Sequence, residues 1–401
     1  MPLARLVRNI APRWRRLPVL AGALAVLAAV PAVASVSSDP LPAPSFDGPV
    51  YAVAYRDSTV FVGGAFTAAV VDGHRVPRQR LAAFDARTGK LLPWAPSANA
   101  TVRALAVADR TVFAAGDFGT VGGAARPRLA AVDAESGAVT AFQHKISGQP
   151  ATIATGHGRL YVGGHFSGVD GVTRNNLAAF TLTDGRLDTG WAAGADDAVA
   201  GIAVTATRVY AGGGFHRING TGILRLAALD PATGALDRGF RPNPPAEVLA
   251  VAAADAPAAA PSPTVPGAEA GGALIAVAMG GQGGRAAAYG TNGGNRWQRV
   301  FDGDVQAVTV LDGITYLGGH FDAACTTARN GAHGICRDGA AKRVKLAAVS
   351  SGGKLTTWAP QANGIVGVRA LAASALTGTV TAGGEFTTVG GIVQKRVAVF
   401  G

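Results

Sequence analysis

The chain lacks the motifs that announce most chemistries. Its 401 residues contain no Gly-x-Ser-x-Gly elbow, no phosphate-binding glycine loop ending in Gly-Lys-Ser/Thr and no His-Glu-x-x-His pair. The sequence case for a serine hydrolase, a P-loop nucleotidase or a zinc protease is therefore missing. No run of Lys and Arg interleaved with aromatics occurs after residue 34, so the net charge of +11 is no nucleic-acid signature. The apolar runs in the body of the chain are too short for helices. Cysteine is nearly absent, with only Cys325 and Cys336. In an exported protein two cysteines this close are most simply one local disulfide. The other reading is half a zinc site, with His333 between them.

Export is itself an expectation. Arg5, Arg8, Arg13, Arg15 and Arg16 precede an apolar stretch at 17–30, and Ala32-Val33-Ala34 supplies a small-x-small cleavage site. Residues 1–34 read as a signal peptide, with a retained N-terminal anchor as the alternative and no membrane span after removal. Loss of those five arginines lowers the charge from +11 to +6. A mildly basic secreted protein suits acidic surroundings such as cell-wall polymers.

What the chain has is repetition. A version of Gly-Gly-x-Phe closes a short apolar run seven times: Gly63-Gly64-Ala65-Phe66, Ala115-Gly116-Asp117-Phe118, Gly163-Gly164-His165-Phe166, Gly212-Gly213-Gly214-Phe215, Gly280-Gly281-Gln282-Gly283, Gly318-Gly319-His320-Phe321 and Gly383-Gly384-Glu385-Phe386. The first four phenylalanines are 52, 48 and 49 residues apart. A fixed period of that size marks an array of one supersecondary unit. Within each unit an alternating run comes first, as in 102–107, and a second run leads into the glycines. A third run repeats nearly verbatim, as in Leu81-Ala82-Ala83-Phe84, Leu129-Ala130-Ala131-Val132 and Leu177-Ala178-Ala179-Phe180. A fourth carries an aromatic residue: Trp94, Phe142, Trp191, Phe240, Trp297 or Trp358, read as wedge packing between units.

Four short strands per ~50-residue unit predict an all-β, seven-bladed β-propeller of four-stranded antiparallel blades. The expected blades are about 48–97, 98–147, 148–197, 198–245, 246–302, 303–362 and 363–401, within a single domain at 35–401. The last unit stops after its third run. The stretch Phe46-Asp47-Gly48-Pro49-Val50-Tyr51-Ala52-Val53 matches Phe301-Asp302-Gly303-Asp304-Val305-Gln306-Ala307-Val308 at six of eight positions. Residues 40–46 are therefore expected to supply the outer strand of the last blade and close the ring. Pro40, Pro42 and Pro44 suit only such an edge. Two insertions depart from the repeat: the Pro/Ala-rich 256–272, expected as a disordered excursion, and 323–345, which holds both cysteines. The degenerate fifth copy marks the repeat expected to have loosened.

Tyr161-Val162-Gly163-Gly164-His165-Phe166, followed by Leu177-Ala178-Ala179-Phe180 and Asp184-Gly185, resembles the delta-60 repeat β-propeller family of secreted bacterial proteins. The resemblance covers about 48–401 and implies a propeller in an extracellular setting. It carries over no catalytic residue. The Gly-Gly pairs are also similar to those of kelch propellers. A second stretch, from Ala83-Phe84-Asp85 through Gly89 to Trp94, looks like the tryptophan-docking repeat of quinoprotein dehydrogenases. Those are eight-bladed and bind pyrroloquinoline quinone with calcium. Trp94 falls one residue late for that pattern, and no motif here supplies the cofactor pocket.

Two sets of residues recur on the face formed by the loops between strands two and three. One is basic: Arg80, Arg128, Arg225, Lys345 and Arg396 stand just before strand three, with Arg78, Arg126, Arg174 and Lys395 close by. These form either a guanidinium ring for a polyanion or charges that cap strand ends. The other is the x of Gly-Gly-x-Phe, where Asp117, His165, Gln282, His320 and Glu385 are polar. They either hold a divalent cation or a sugar in the channel or line it without a ligand. The resulting expectation is a secreted, monomeric binding module without a catalytic residue. Its expected partners are a cell-wall polymer, a polysaccharide or a protein, and nucleic acid is not among them. No cofactor is expected beyond a cation in the channel. The rival is an extracellular enzyme, either a quinoprotein-like oxidoreductase or a carbohydrate-active lyase or hydrolase.

Overall fold

A computed structural model describes residues 36–255, 273–331 and 334–401. The expected signal segment 1–34, the insertion 256–272 and His333 lie outside the described residues. The described residues contain no α-helix, and none of their elements is a helix long and apolar enough to cross a membrane.

One antiparallel sheet pattern recurs along the chain. In the first repeat an inner strand, Val50–Arg56, pairs with Thr59–Gly64, which pairs with Leu81–Asp85. The same order returns with Val102–Ala108, Thr111–Gly116 and Leu129–Asp133. It recurs in the third, fourth, fifth, sixth and seventh repeats, beginning at Ile146, Val199, Val248, Val305 and Val368.

The third strands are buried on both faces. Leu81, Ala82, Ala83 and Phe84 are all fully enclosed, because neighbouring repeats cover both sides of each sheet. Continuous apolar runs are what doubly covered strands require. Small residues allow the approach. A Cβ on Gly63 would lie 2.5 Å from Val102 Cγ1 of the next repeat. One on Gly383 would lie 2.7 Å from Val50 Cγ1 of the first.

The fourth run differs from the expectation of a full strand. Among the described residues, only the fifth repeat follows its third strand with a regular fourth, Asn295–Val300. Elsewhere the run makes one bridge, as in Phe84 with Leu91 and Val132 with Val139. In the first repeat the Leu92 carbonyl that would carry the ladder on instead accepts from Arg78 Nη2 at 2.7 Å. The aromatic side chains still tie neighbours together. Trp94 Nε1 donates to Asp133 O at 2.9 Å, and Trp191 Nε1 to Asp230 O at 3.3 Å.

The segment before the first repeat divides between two sheets. Ser37 N donates to Gly401 O at 2.9 Å, and Leu41 bridges Val399. Trp358 Nε1 donates to Ser37 O at 3.0 Å. Ser45–Phe46 instead pairs with Ala68–Val71 of the first repeat. The bridge to the last sheet thus comes from Leu41, while Ser45–Phe46 pairs with the first repeat and also meets the last, Phe46 N donating to Lys395 O at 3.2 Å. Cys325 and Cys336 are disulfide-bonded, which removes the zinc reading.

Candidate functional site

The Gly-Gly-x-Phe motif folds as a tight turn over the end of the inner strand. The amide of Ala65 donates to Pro49 O at 2.9 Å, that of Asp117 to Thr101 O at 2.9 Å and that of Glu385 to Gly367 O at 2.8 Å. The second glycine has no room for a side chain, since a Cβ on Gly64 would lie 2.0 Å from Pro49 O. Phe66, Phe118, Phe166, Phe215, Phe321 and Phe386 are all buried beneath the turn. An Asp or Asn ahead of the inner strand caps the far side. Asn99 Oδ1 accepts from the amides of Gly119 and Thr120 at 2.8 and 3.1 Å, and Asp302 Oδ1 from those of Asp322 and Ala323 at 2.8 and 2.9 Å.

The basic position belongs to the same turn. Arg80, Arg128, Arg225, Lys345 and Arg396 are left-handed, with φ of 67°, 71°, 64°, 66° and 72°, and Asn176 takes this place in the third repeat with φ of 65°. Such angles are strained for long side chains. Here the backbone answers the strain. The Arg80 amide donates to Phe66 O, and Arg80 O accepts from the Gly64 amide, both at 3.0 Å. The side chains also turn onto carbonyl oxygens. Arg80 Nη1 donates to Phe66 O at 2.9 Å, Arg225 Nη1 to Pro244 O at 3.1 Å, Arg128 to Gly148 O and Arg396 to Glu385 O. Lys345 is buried and donates to His320 O at 2.9 Å and to Asp322 at 2.7 Å.

A second arginine clasps the fourth run. Arg78 donates to Pro77 O at 2.8 Å and to Leu92 O at 2.7 Å, and Arg126, Arg174 and Arg343 repeat the clasp. Burial lowers the pKa of the Arg78 and Arg343 guanidinium groups. The basic residues thus each cap a backbone oxygen of the rim.

The x residues do not converge. Exposed Asp117 accepts from Arg103 Nε at 2.9 and 3.0 Å, with Arg103 Nη2 at 2.7 Å, and from Gln149. The Arg103 hydrogen bonds hold its carboxyl below the usual carboxylate range. His165 is exposed beside Asn176 and Asp196 in a hollow of about 480 Å³. Gln282 is exposed, and its backbone carbonyl accepts from Asn330 at 2.6 Å. His320 is half-buried, 3.8 Å from Asp304. Half-buried Glu385 lies near Tyr51, and its carboxylate helps push that phenol up. Among the described residues no three His, Cys, Asp or Glu side chains lie together as a metal site would need.

A different set does converge. Each inner strand slips by one residue after its first pair, as between Val50 and Ala52 or Val102 and Ala104. The bulged residues are Tyr51, Arg103, Ala151, Ala200, Leu249, Gln306 and Arg369. All seven line one cavity of about 280 Å³. Bulges re-aim side chains in this way and are frequent beside functional sites. The sequence carried a signal: a variable residue stands between Val and Ala in Val50-Tyr51-Ala52, Val102-Arg103-Ala104, Val248-Leu249-Ala250, Val305-Gln306-Ala307 and Val368-Arg369-Ala370. Strict alternation hides it, because a bulge breaks the period of two. Burial pushes the Tyr51 phenol up, and the Glu385 carboxylate adds to that, so it stays a donor. Gln306 Oε1 is buried without a hydrogen-bond partner.

Residues 158–190 match the family model described as a domain of unknown function (DUF5122) β-propeller. No curated protein matches the chain. Among solved structures, the WD40 β-propeller domain of Doa1 aligns with a TM-score of 0.51 at 11% identity, over 90% of this chain and 96% of that one. BamB from Moraxella catarrhalis aligns with a TM-score of 0.46 at 15% identity, over 91% of this chain and 92% of that one. The repeated sheets, the family-model match and the likeness to the Doa1 domain together make the fold an all-β β-propeller.

Proposed function

We propose that the protein is a secreted binding module, a seven-bladed propeller that meets its ligand at the mouth of its central channel. The observation that carries this reading is the bulge in every inner strand, which places seven side chains around one cavity. Ring closure is supported by contacts between the last repeat and the first. Gly383 sits against Val50, and the Tyr55 hydroxyl lies 3.0 Å from Thr379 Oγ1 and 2.5 Å from Thr381 Oγ1. Leu41 supplies the bridge to Val399 that a fourth run supplies elsewhere. The blades then follow the boundaries expected from the repeat, with 37–41 as the outer edge of the last. Secretion is supported by the Cys325–Cys336 disulfide and by the basic, apolar and small-residue order of 1–34.

The ligand meets the bulged residues. Arg80, Arg128, Arg225, Lys345 and Arg396 each give a donor to a backbone oxygen, which favours the capping role over a guanidinium ring for a polyanion. A glycan and wall-polymer array probed with residues 35–401 tests the module. Binding to an immobilised polymer or oligosaccharide is the expected result, and a blank array overturns the reading.

A further inference from the structure

We infer that the channel mouth takes the end of a neutral, polyhydroxylated ligand, one sugar ring of an uncharged glycan; this rests on the binding-module reading above. The seven bulged positions are not equivalent. Gln306, Arg369, Tyr51 and Arg103 come from the sixth, seventh, first and second repeats and form one polar arc. Ala151, Ala200 and Leu249 form the facing arc, small and apolar. A plug built only to fill the channel would have no reason to divide in this way. The division leaves open space over the alanines and polar groups facing it.

The chemistry of the arc selects the ligand. Its two guanidinium groups are balanced by two carboxylates, since Asp117 holds Arg103 and Glu385 lies near Tyr51. Across the mouth, bare Gly214 lies between two more acids: a Cβ there would be 3.5 Å from Glu247 Oε1 and 3.6 Å from Asp197 Oδ2. An anion gains little from such surroundings. Donor and acceptor counting leads the same way. Gln306 Oε1 is buried and needs a donor. The Arg369 guanidinium needs acceptors, and the Tyr51 hydroxyl can both donate and accept. A carboxylate or phosphate only accepts and an ammonium only donates, whereas a hydroxyl does both. Planar guanidinium, carboxylate and amide groups present paired atoms that match adjacent hydroxyls, and the Tyr51 ring adds an amphipathic face. The cavity of about 280 Å³ lies at the small end of ligand pockets, which span about 300–1,000 Å³. It has room for a chain end and not for a chain passing through.

The test is calorimetry on residues 35–401 with three neutral probes (maltotriose, cellotriose and xylotriose) and one acidic probe, trigalacturonate. A neutral trisaccharide should bind. Gln306→Leu should weaken it about tenfold, by leaving a sugar hydroxyl unpaired. Ala200→Trp should abolish it by filling the apolar arc, and Tyr51→Phe covers the case in which that variant fails to fold. Tighter binding of trigalacturonate, or no binding of the neutral probes by a protein that is positive on the wall-polymer array, overturns the ligand class. Neutral binding unchanged in Gln306→Leu and Tyr51→Phe overturns the site while leaving the module standing. A protein blank in both assays loses the module reading itself.

Discussion

The second and fifth repeats hold the same rim by different means. In the second, Phe118 is buried under the turn, Asn99 caps the following amides and left-handed Arg128 closes the loop. All three belong to that repeat or its own leading segment. The fifth has Gly283 in place of the Phe and Arg285 where its third strand begins. Expected to have loosened, it instead carries a regular fourth strand, and its vacancy is filled from the sixth repeat. A Cβ on Gly283 would lie 2.5 Å from Asn330 Nδ2 and 2.8 Å from Gly334 Cα. Both residues belong to the loop closed by Cys325–Cys336. Asn330 Nδ2 donates to Gln282 O at 2.6 Å, giving that backbone oxygen the partner it needs. The degenerate motif and the cysteine loop, which look like separate departures in sequence, are one device.

That contrast can be broken at several points. Phe118→Ala should cost the most, about 3–5 kcal/mol in urea unfolding, because it empties a fully enclosed site. A loss below about 1 kcal/mol would mean that the turn, and not the ring beneath it, holds the rim. Replacing Cys325 and Cys336 together by Ser should cost about 3 kcal/mol, as expected for so short a loop. Amide exchange should then quicken in Arg285–Tyr289 of the fifth repeat and much less in Leu129–Asp133 of the second. Equal quickening would show that the loop does not serve the fifth repeat. Arg126→Lys should cost about 1–2 kcal/mol, since an ammonium cannot reach both Ala125 O and Thr140 O as the fork does. An unchanged denaturation midpoint would remove the clasp from the account.

The smallest effect is a pH effect. Asp47 caps the first repeat where Asn99 caps the second. Burial pushes the Asp47 carboxyl up, but the Thr67 hydroxyl, the Ala68 and Thr67 amides and Arg75 outweigh it and hold it at about 2, against an ordinary 3.8. A carboxyl depressed by folding stabilises above its unfolded value and loses that contribution as pH falls through 3.8 towards 2. Asp47→Asn should therefore lower stability at pH 7 and flatten its fall between about pH 4 and pH 2, so that the two proteins converge near pH 2. An unaltered acid limb would mean that Asp47 contributes no more than its uncharged counterpart Asn99.

Much of the fold was legible because its constraints are local and repeated. The Gly-Gly pairs, the buried Phe residues and the Leu-Ala-Ala runs each follow from a contact made once per repeat, so the period of about fifty residues exposed them together. The site was less legible. Asp117 and Glu385 stood out by their variability; Asp117 binds Arg103 and Glu385 lies near Tyr51, two cavity-lining residues that the expectation of simple alternation passed over. The basic residues before strand three were conspicuous as charges, although their left-handed backbone and carbonyl partners show in no composition.

By itself, the sequence determined the strand pattern and the phase of the repeat, since these depend on neighbours close along the chain. Tertiary structure decided which charges meet carbonyls and which meet the channel, and which repeat covers the vacancy at Gly283. Those outcomes turn on a one-residue bulge and on contacts between residues some fifty positions apart, as between Gln282 and Asn330. A pattern read along a single chain cannot carry either.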